Sequence, residues 1–305
     1  CVIACPKSAL KLHLNNDGFY APVLSDKLCV NCGICVKVCA FSHNNLALER
    51  QNICSYGAWS NDRSIRLKSS SGGVAFELSR FLLSQGYKSC CVKYDESKQR
   101  AEHYIASCVD ELYPSIGSKY LQSYTIDAFK SISRNEKYIL FGTPCQIDSF
   151  RRYIQLHNVE DNFILVDFFC HSVPSMLAWN KYRQIVEKRI GVTVYASWRH
   201  KFNGWHDSYV MVLCGNSDCT NNKQDLRCFK SCTVDNSQDK IHISKFTEDD
   251  LFYNLFLGDY CSNPACKDSC KYKYDKSSAD IRLGDFWGKT YENNYEGVSS
   301  VVAFT

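Results

Sequence analysis

No apolar stretch in the 305 residues is long enough to cross a bilayer, so a spanning helix is excluded as the organising element. An excess of charge is missing too. Lysine plus arginine numbers 36 against 32 aspartate plus glutamate, and a net charge of +4 does not point to nucleic acid as a partner. Low-complexity tracts are absent. What remains is ordinary for a globular protein, with 45% hydrophobic and 22% charged residues. The length accommodates a small module plus one large domain, or two medium ones.

Cysteine, by contrast, is abundant: there are 19. The number is odd, which suits a reducing compartment and metal ligation better than secretion, and makes cytoplasm the expected location. Cys29, Cys32, Cys35 and Cys39 follow C-x2-C-x2-C-x3-C, the ligand run of a bacterial-type ferredoxin cluster. Cys1, Cys5 and Pro6 have the spacing of the end of a second such run. By the crossed ligation of two-cluster ferredoxins, Cys5 completes a 4Fe–4S site with Cys29, Cys32 and Cys35. Cys1 and Cys39 then hold half of another, and the native chain is expected to begin further upstream. A structural zinc site fits less well, since zinc sites usually pair two cysteines with two distant ligands. Disulfides fit worse, because such short spacings make poor bridges.

The cluster module is expected over residues 1–45, with Asn16-Asp17-Gly18 as a hairpin turn between its halves. Residues 46–66 are polar and aperiodic and read as a linker. A larger domain follows, its first half over 67–145 and its second over 146–305. Val74, Leu78, Phe81 and Leu82 fall at helical spacing, with Gly86 as a stop. Strands are expected at 89–94, 103–107, 138–141 and 163–169, and helices over 146–154 and from Pro174 to about residue 189. Alternation of strand, loop and helix implies a mostly parallel mixed sheet, so the fold class is α+β: a ferredoxin-like module, then an α/β domain. The pattern turns to β over 192–213. Residues 215–240 are polar and carry Cys219, Cys228 and Cys232. A short helix near 251–257 and strands at 279–285 and 298–304 close the chain.

Three strand-to-helix turns could carry chemistry. Ser69 to Gly73 precedes a helix, whose free N–H groups suit a phosphate. Gly142-Thr143-Pro144-Cys145 adds a thiol at a helix start, where a lowered pKa is expected to suit a cluster ligand or redox thiol, and where a buried inert thiol is an equally good local reading. Cys170-His171 ends another strand. Cys261, Cys266 and Cys270 can share a loop, with Cys145 or Cys170 as a fourth ligand to a further iron–sulfur centre or to zinc.

Five segments in one order, Ser70 to Val74, Gly117 to Ser123, Gly142 to Ile147, Cys170 to Ser175 and Asp280 to Gly288, resemble the coenzyme F-420 hydrogenase/dehydrogenase beta-subunit family from about residue 65 onward. The resemblance implies FAD and a 4Fe–4S centre in an α/β flavin-binding domain. It places Ser71, Gly72 and Gly73 along the flavin pyrophosphate and Ser118 and Lys119 against the flavin or its phosphates. Gly142, Thr143 and Cys145 fall near the flavin–cluster junction. The late cysteine pair departs from the family's x2 spacing, since Cys266 and Cys270 are spaced x3, and such domains usually continue beyond Thr305. Some members stand beside polysaccharide biosynthesis. The expected activity is iron–sulfur flavin oxidoreduction of an organic substrate, with Cys145 on the electron path and His171 as proton donor. The partner is a ferredoxin or another redox subunit, guided by Lys7, Lys27 and Lys37. The alternatives are an electron-transfer subunit with no substrate site and a zinc-bearing scaffold.

Overall fold

The computed structural model describes residues 1–50, 52–215 and 240–304, so Cys219, Cys228 and Cys232 lie outside the described residues. The strands are β1 (Leu10–Leu14), β2 (Tyr20–Leu24), β3 (Ile53–Ala58), β4 (Lys88–Asp95), β5 (Arg100–Ala106), β6 (Tyr138–Phe141), β7 (Phe163–Phe168), β8 (Thr193–Ser197), β9 (Val210–Gly215), β10 (Ile241–Lys245), β11 (Ile281–Asp285) and β12 (Ser299–Phe304). The helices are α1 (Ile34–Lys37), α2 (Arg63–Lys68), α3 (Val74–Ser84), α4 (Ile126–Ser131), α5 (Pro144–Leu156), α6 (Met176–Ile190), α7 (Leu251–Leu257) and α8 (Pro264–Asp268).

β1 and β2 form an antiparallel hairpin, with Leu10 opposite Leu24 and Leu14 opposite Tyr20. Its turn is built by the Asn15 carboxamide, which accepts from the backbone N–H groups of Asp17 and Phe19. Gly18 stands at φ +80°, and a side chain there would meet Ser175 Oγ at 2.5 Å. The hairpin tip therefore seats directly on the start of α6, where Met176 N–H donates to Gly18 O and Ser175 Oγ–H to Asp17 O. Gln122 fastens the other side by exchanging two hydrogen bonds with the Tyr20 backbone.

The main sheet has the order β3-β12-β11-β7-β6-β4-β5. β4, β6, β7 and β11 run parallel in its centre, while β5, β12 and β3 pair antiparallel at the edges. β6 and β7, the middle pair, are near-continuous apolar runs because both faces are covered. Tyr138, Leu140 and Leu165 pack against Ile147, Phe150 and Ile154, the inward stripe of α5. A three-stranded antiparallel sheet, β10-β9-β8, packs on α6 and α7 around Trp179, Trp198, Leu213, Phe252 and Phe256.

The main departure from the sequence reading is in residues 46–66, taken there as a linker. They contain β3 and the start of α2, which Asp62 caps by accepting from Ser64 and Ile65 N–H. β3 is an edge strand with four of its six residues exposed, so burial imposed no alternation on it. No helix among the described residues is long and apolar enough to cross a membrane.

Candidate functional site

In open α/β sheets ligands gather beyond the carboxyl ends of the parallel strands. Three such ends matter here: β6 runs into Gly142–Cys145, β7 into Phe169–His171 and β11 into Phe286 and Trp287. Thr143 caps α5 in a capping box, its backbone N–H donating to Gln146 Oε1 at 2.9 Å, and Pro144 takes the first helical position. This fixes Cys145 in the first turn, with its Sγ 3.2 Å from Thr143 Oγ1.

Four thiols face one another there. Against the lowered value expected at a helix start, burial pushes the Cys145 pKa up to about 11, and Cys266 and Cys270 push it further in the same direction while Thr143 opposes them. Cys170 is driven well above the ordinary thiol range by burial and then by Cys145, Cys266 and Cys270. The chain brings them together by pairing two distant loops. Asn263 N–H donates to Val173 O, and the Ser172 and Ser262 hydroxyls meet at 2.7 Å. Asn263 then caps α8, which carries Cys266. Burial and the neighbouring thiols thus oppose ionisation of Cys145 and Cys170, and a bound cationic centre would reverse that balance. Among the described residues no group of three or more His, Cys, Asp or Glu side chains is arranged as it stands to hold a metal ion.

Cys261, grouped with Cys266 and Cys270 on spacing, does not join them. Its side chain packs against the aromatic core of α6 and α7, and its carbonyl accepts from Ser175 N–H. Cys170 stands with Cys145, Cys266 and Cys270 instead.

In the N-terminal unit, Cys5, Cys29, Cys32 and Cys35 line a single cavity with Leu10, Leu24, Val30 and Gly33. Backbone N–H groups already point at sulfur: Ala9 donates to Cys5 Sγ and Asn31 to Cys29 Sγ. The Ala9 contact draws the Cys5 pKa down. The Cys1 amino group lies within electrostatic reach of Cys39 and Cys35. Beyond Cys39, Ala40 N–H donates to Ser149 Oγ on α5, and Lys271 Nζ donates to the carbonyls of Ala40, His43 and Asn45. The residue after Cys270 thus grips the segment after Cys39.

The loops singled out for a flavin also meet. Ser118 N–H donates to Ser70 Oγ, and Gln146 Nε2 to Ser123 Oγ. Ser71 Oγ donates to Val298 O, and Gly72 N–H to Ser299 Oγ. Gly73, at φ +87°, opens α3 with no side-chain cap, and Glu77 stands in the first turn. Gly142 closes β6 by donating to Val166 O.

Two family models match the chain. Residues 55–130 match the N-terminal part of the coenzyme F420 hydrogenase/dehydrogenase beta subunit, and residues 135–305 match its C-terminal part. The chain belongs to this family. Membership makes it an oxidoreductase-type, electron-transferring subunit. A chain in a structure of the F420-reducing [NiFe] hydrogenase complex from Methanosarcina barkeri shares the fold, at 17% identity and a TM-score of 0.52, over 86% of this chain and 78% of that one. No curated protein matches the sequence.

Two of the side chains assigned from sequence are held by partners within the chain. Lys119 does not reach toward a phosphate. Its amine donates to the carbonyls of Pro114, Ser115 and Ile116 at the end of a 3-10 turn. Burial pushes its pKa down to about 7, yet three carbonyl acceptors match the three N–H bonds of an ammonium. His171 is half exposed, 3.3 Å from Asp259 Oδ1, with its ring edge-on to Phe256. Reading by motif also missed Lys201, whose amine donates to Ser71 O, Arg66 O and Glu296 O and so fixes the Ser69–Gly73 loop. Beside it Arg199 pairs with Asp285 at 3.0 Å, and Trp205 Nε1 donates to the same carboxylate. The available signal was two cations inside an otherwise alternating β segment.

Proposed function

We propose that the chain is an iron–sulfur flavoprotein subunit that moves electrons between 4Fe–4S clusters and FAD, for oxidation or reduction of an organic substrate. The observation that carries this reading is the convergence of Cys145, Cys170, Cys266 and Cys270 at the carboxyl edge of the sheet, where Gly142–Thr143 opens α5.

Cys5, Cys29, Cys32 and Cys35 would hold one cluster, Cys1 and Cys39 part of a second, and the four inner cysteines a third. When bound, the clusters supply one-electron steps and the flavin pairs them. The chain's own residues do the rest. The N–H groups at the start of α3 and the small residues before it suit a pyrophosphate. Lys201 holds that loop open in one conformation. The Lys271 grip keeps the N-terminal unit at a fixed place on α5, where electron transfer needs short and constant separations. His171, half exposed and oriented by Asp259, is placed to exchange a proton with a substrate.

A second reading is an electron-transfer subunit without a substrate site of its own. The likeness to a chain of a hydrogenase complex favours it. Lys7 lines the N-terminal cavity, Lys27 and Lys37 are exposed in the same unit, and the three would steer an acidic redox partner.

Anaerobic purification followed by assay of iron, acid-labile sulfide, zinc and flavin tests the proposal. About four irons and four sulfides for each complete cysteine set, with FAD, are expected. Zinc without sulfide or flavin overturns it. Oxidation of a small reduced donor by the isolated chain separates the enzyme from the pure electron carrier.

A further inference from the structure

A second polar cluster lies away from the cysteines, where α6 meets β10 and the start of α7. His242 stands at its centre. Arg189 Nη2 donates to His242 Nδ1 at 2.7 Å. A guanidinium has no acceptor, so Nδ1 carries a bare lone pair and the ring is neutral with its proton on Nε2. Nε2 lies 2.9 Å from Tyr182 Oη and 3.1 Å from Ser244 Oγ. Both hydroxyls direct their own protons at one oxygen, Asp250 Oδ2, so their oxygens are left to accept from Nε2–H. Asp250 Oδ1 accepts from Tyr253 N–H and so caps α7. Donors and acceptors form one directed chain from guanidinium to carboxylate, and it admits a single histidine state.

The chain of bonds joins three elements. Tyr182 and Arg189 belong to α6, His242 and Ser244 to β10, and Asp250 to the cap of α7. Tyr182 and Asp250 are buried, whereas Arg189 is exposed at the helix end. β10 lies at the edge of the three-stranded sheet and pairs with β9, where apolar Leu213 stands opposite His242. Burial disfavours the imidazolium most, Arg189 adds to this and Asp250 opposes both, so the His242 pKa is held below the ordinary histidine value. The near end of α6 seats the N-terminal hairpin, through Ser175 and Met176. The Arg189–His242 contact fixes its far end.

We propose that Arg189 and His242 form an acid-released latch between the end of α6 and the edge strand β10. With His242 neutral the latch is closed. A proton on Nδ1 turns the acceptor into a donor and sets two cations against each other at 2.7 Å. Arg189 then turns to solvent, and β10 opens more readily. In the open strand histidine titrates near 6.5 and binds its proton more tightly than in the closed one. The latch is therefore fully held above about pH 6.5 and weakens as pH falls below it. No cysteine takes part, so the latch stands apart from the iron–sulfur and flavin reading.

The test is amide hydrogen exchange of the full chain, read over residues 241–245 and corrected for intrinsic exchange rates. His242→Gln keeps an acceptor and a donor but does not titrate. Between about pH 7.5 and pH 5.5, protection of β10 should fall about tenfold more in the wild type than in this variant, the ratio for an open state whose histidine titrates near 6.5. Buried His103 also weakens the fold in acid, but it does so in both proteins, so the difference belongs to His242. Arg189→Met removes the exposed half of the contact and leaves the buried network in place. It should fold, lower β10 protection at pH 7.5 and shrink the acid loss. An equal fall in wild type and His242→Gln overturns the latch, as does unchanged protection in Arg189→Met. If His242→Gln does not fold, the comparison of wild type with Arg189→Met decides by the same criterion.

Discussion

Arg282 on β11 holds Asp167 on the neighbouring parallel strand β7 through two hydrogen bonds, Nε to Oδ1 at 2.8 Å and Nη2 to Oδ2 at 2.7 Å, with both side chains closed to solvent. The guanidinium also binds the carbonyls of Tyr274 and Lys276, and Ser277 Oγ–H donates to Asp167. One ion pair thus anchors the segment that follows Cys270 to the centre of the sheet. Asp167→Ala would leave a buried guanidinium without its carboxylate and should cost about 3–5 kcal/mol. Urea unfolding of the variant measures this. Replacing Asp167 and Arg282 together by apolar residues of similar volume should cost clearly less than the single change, because no charge is then stranded.

His103 on β5 is a second buried ionisable group, and it makes stability depend on pH. Its Nε2 meets Phe141 O, its ring packs edge-on to Phe129, and burial pushes its pKa down to about 4. An unfolded chain, with histidine near 6.5, binds more protons between these values. Stability from this residue is fully present above about pH 6.5 and is lost as pH falls toward 4, by about 3 kcal/mol. Stability measured against pH should show this slope, and His103→Gln should flatten it. An identical slope in the variant would assign the acid sensitivity to other groups.

Local pattern made much of this molecule readable in advance. The apolar runs of β6 and β7 and the Thr-Pro start of α5 are set by neighbours in sequence, and they fold as their spacing implies. Cys5 meets Cys29, Cys32 and Cys35 in one cavity because the hairpin between them closes a short loop. Where the outcome depended on distant pairing, spacing was a poor guide. Cys170 rather than Cys261 faces Cys266 because residues 172–174 bind residues 262–263 across some ninety positions of chain. Lys119 turns back onto three carbonyls, a fate no motif encodes. β3 is mostly exposed, and its partner β12 lies at the other end of the sequence.

Gly72 tests the Ser69–Gly73 loop. A Cβ there would lie 2.4 Å from Ala58 O and 2.7 Å from Ser299 N, both of them backbone atoms in the β3–β12 edge. Neither can move without breaking the ladder, so Gly72→Ala should destabilise by about 3 kcal/mol or more. Gly86 is the control. It needs a left-handed backbone at φ +82° but has nothing within 4 Å of its Cβ position, so Gly86→Ala should cost only about 1–2 kcal/mol. Thermal unfolding of both variants compares them, and equal losses would show that the β3–β12 edge yields more readily than its ladder implies.

The strongest contrast lies between two cysteines that the sequence does not distinguish. Cys170 lies within electrostatic reach of Cys145, Cys266 and Cys270, whereas Cys261 packs against the aromatic core to which Trp179 and Phe252 belong. Serine is nearly isosteric with cysteine but is a hard and far less acidic donor, so it removes a soft ligand without opening a cavity. Cys170→Ser should lose about four irons per chain, the content of one cluster, with its share of labile sulfide. Cys261→Ser should retain the full metal content and lose only modest stability, because a half-buried thiol in apolar surroundings is exchanged for a hydroxyl. Iron and sulfide assays on the two purified variants decide between these outcomes. Metal loss in Cys261→Ser with none in Cys170→Ser would mean that the loop of residues 261–263 rearranges when the centre is bound, and the pairing of the Ser172 and Ser262 hydroxyls would then belong to the metal-free chain alone.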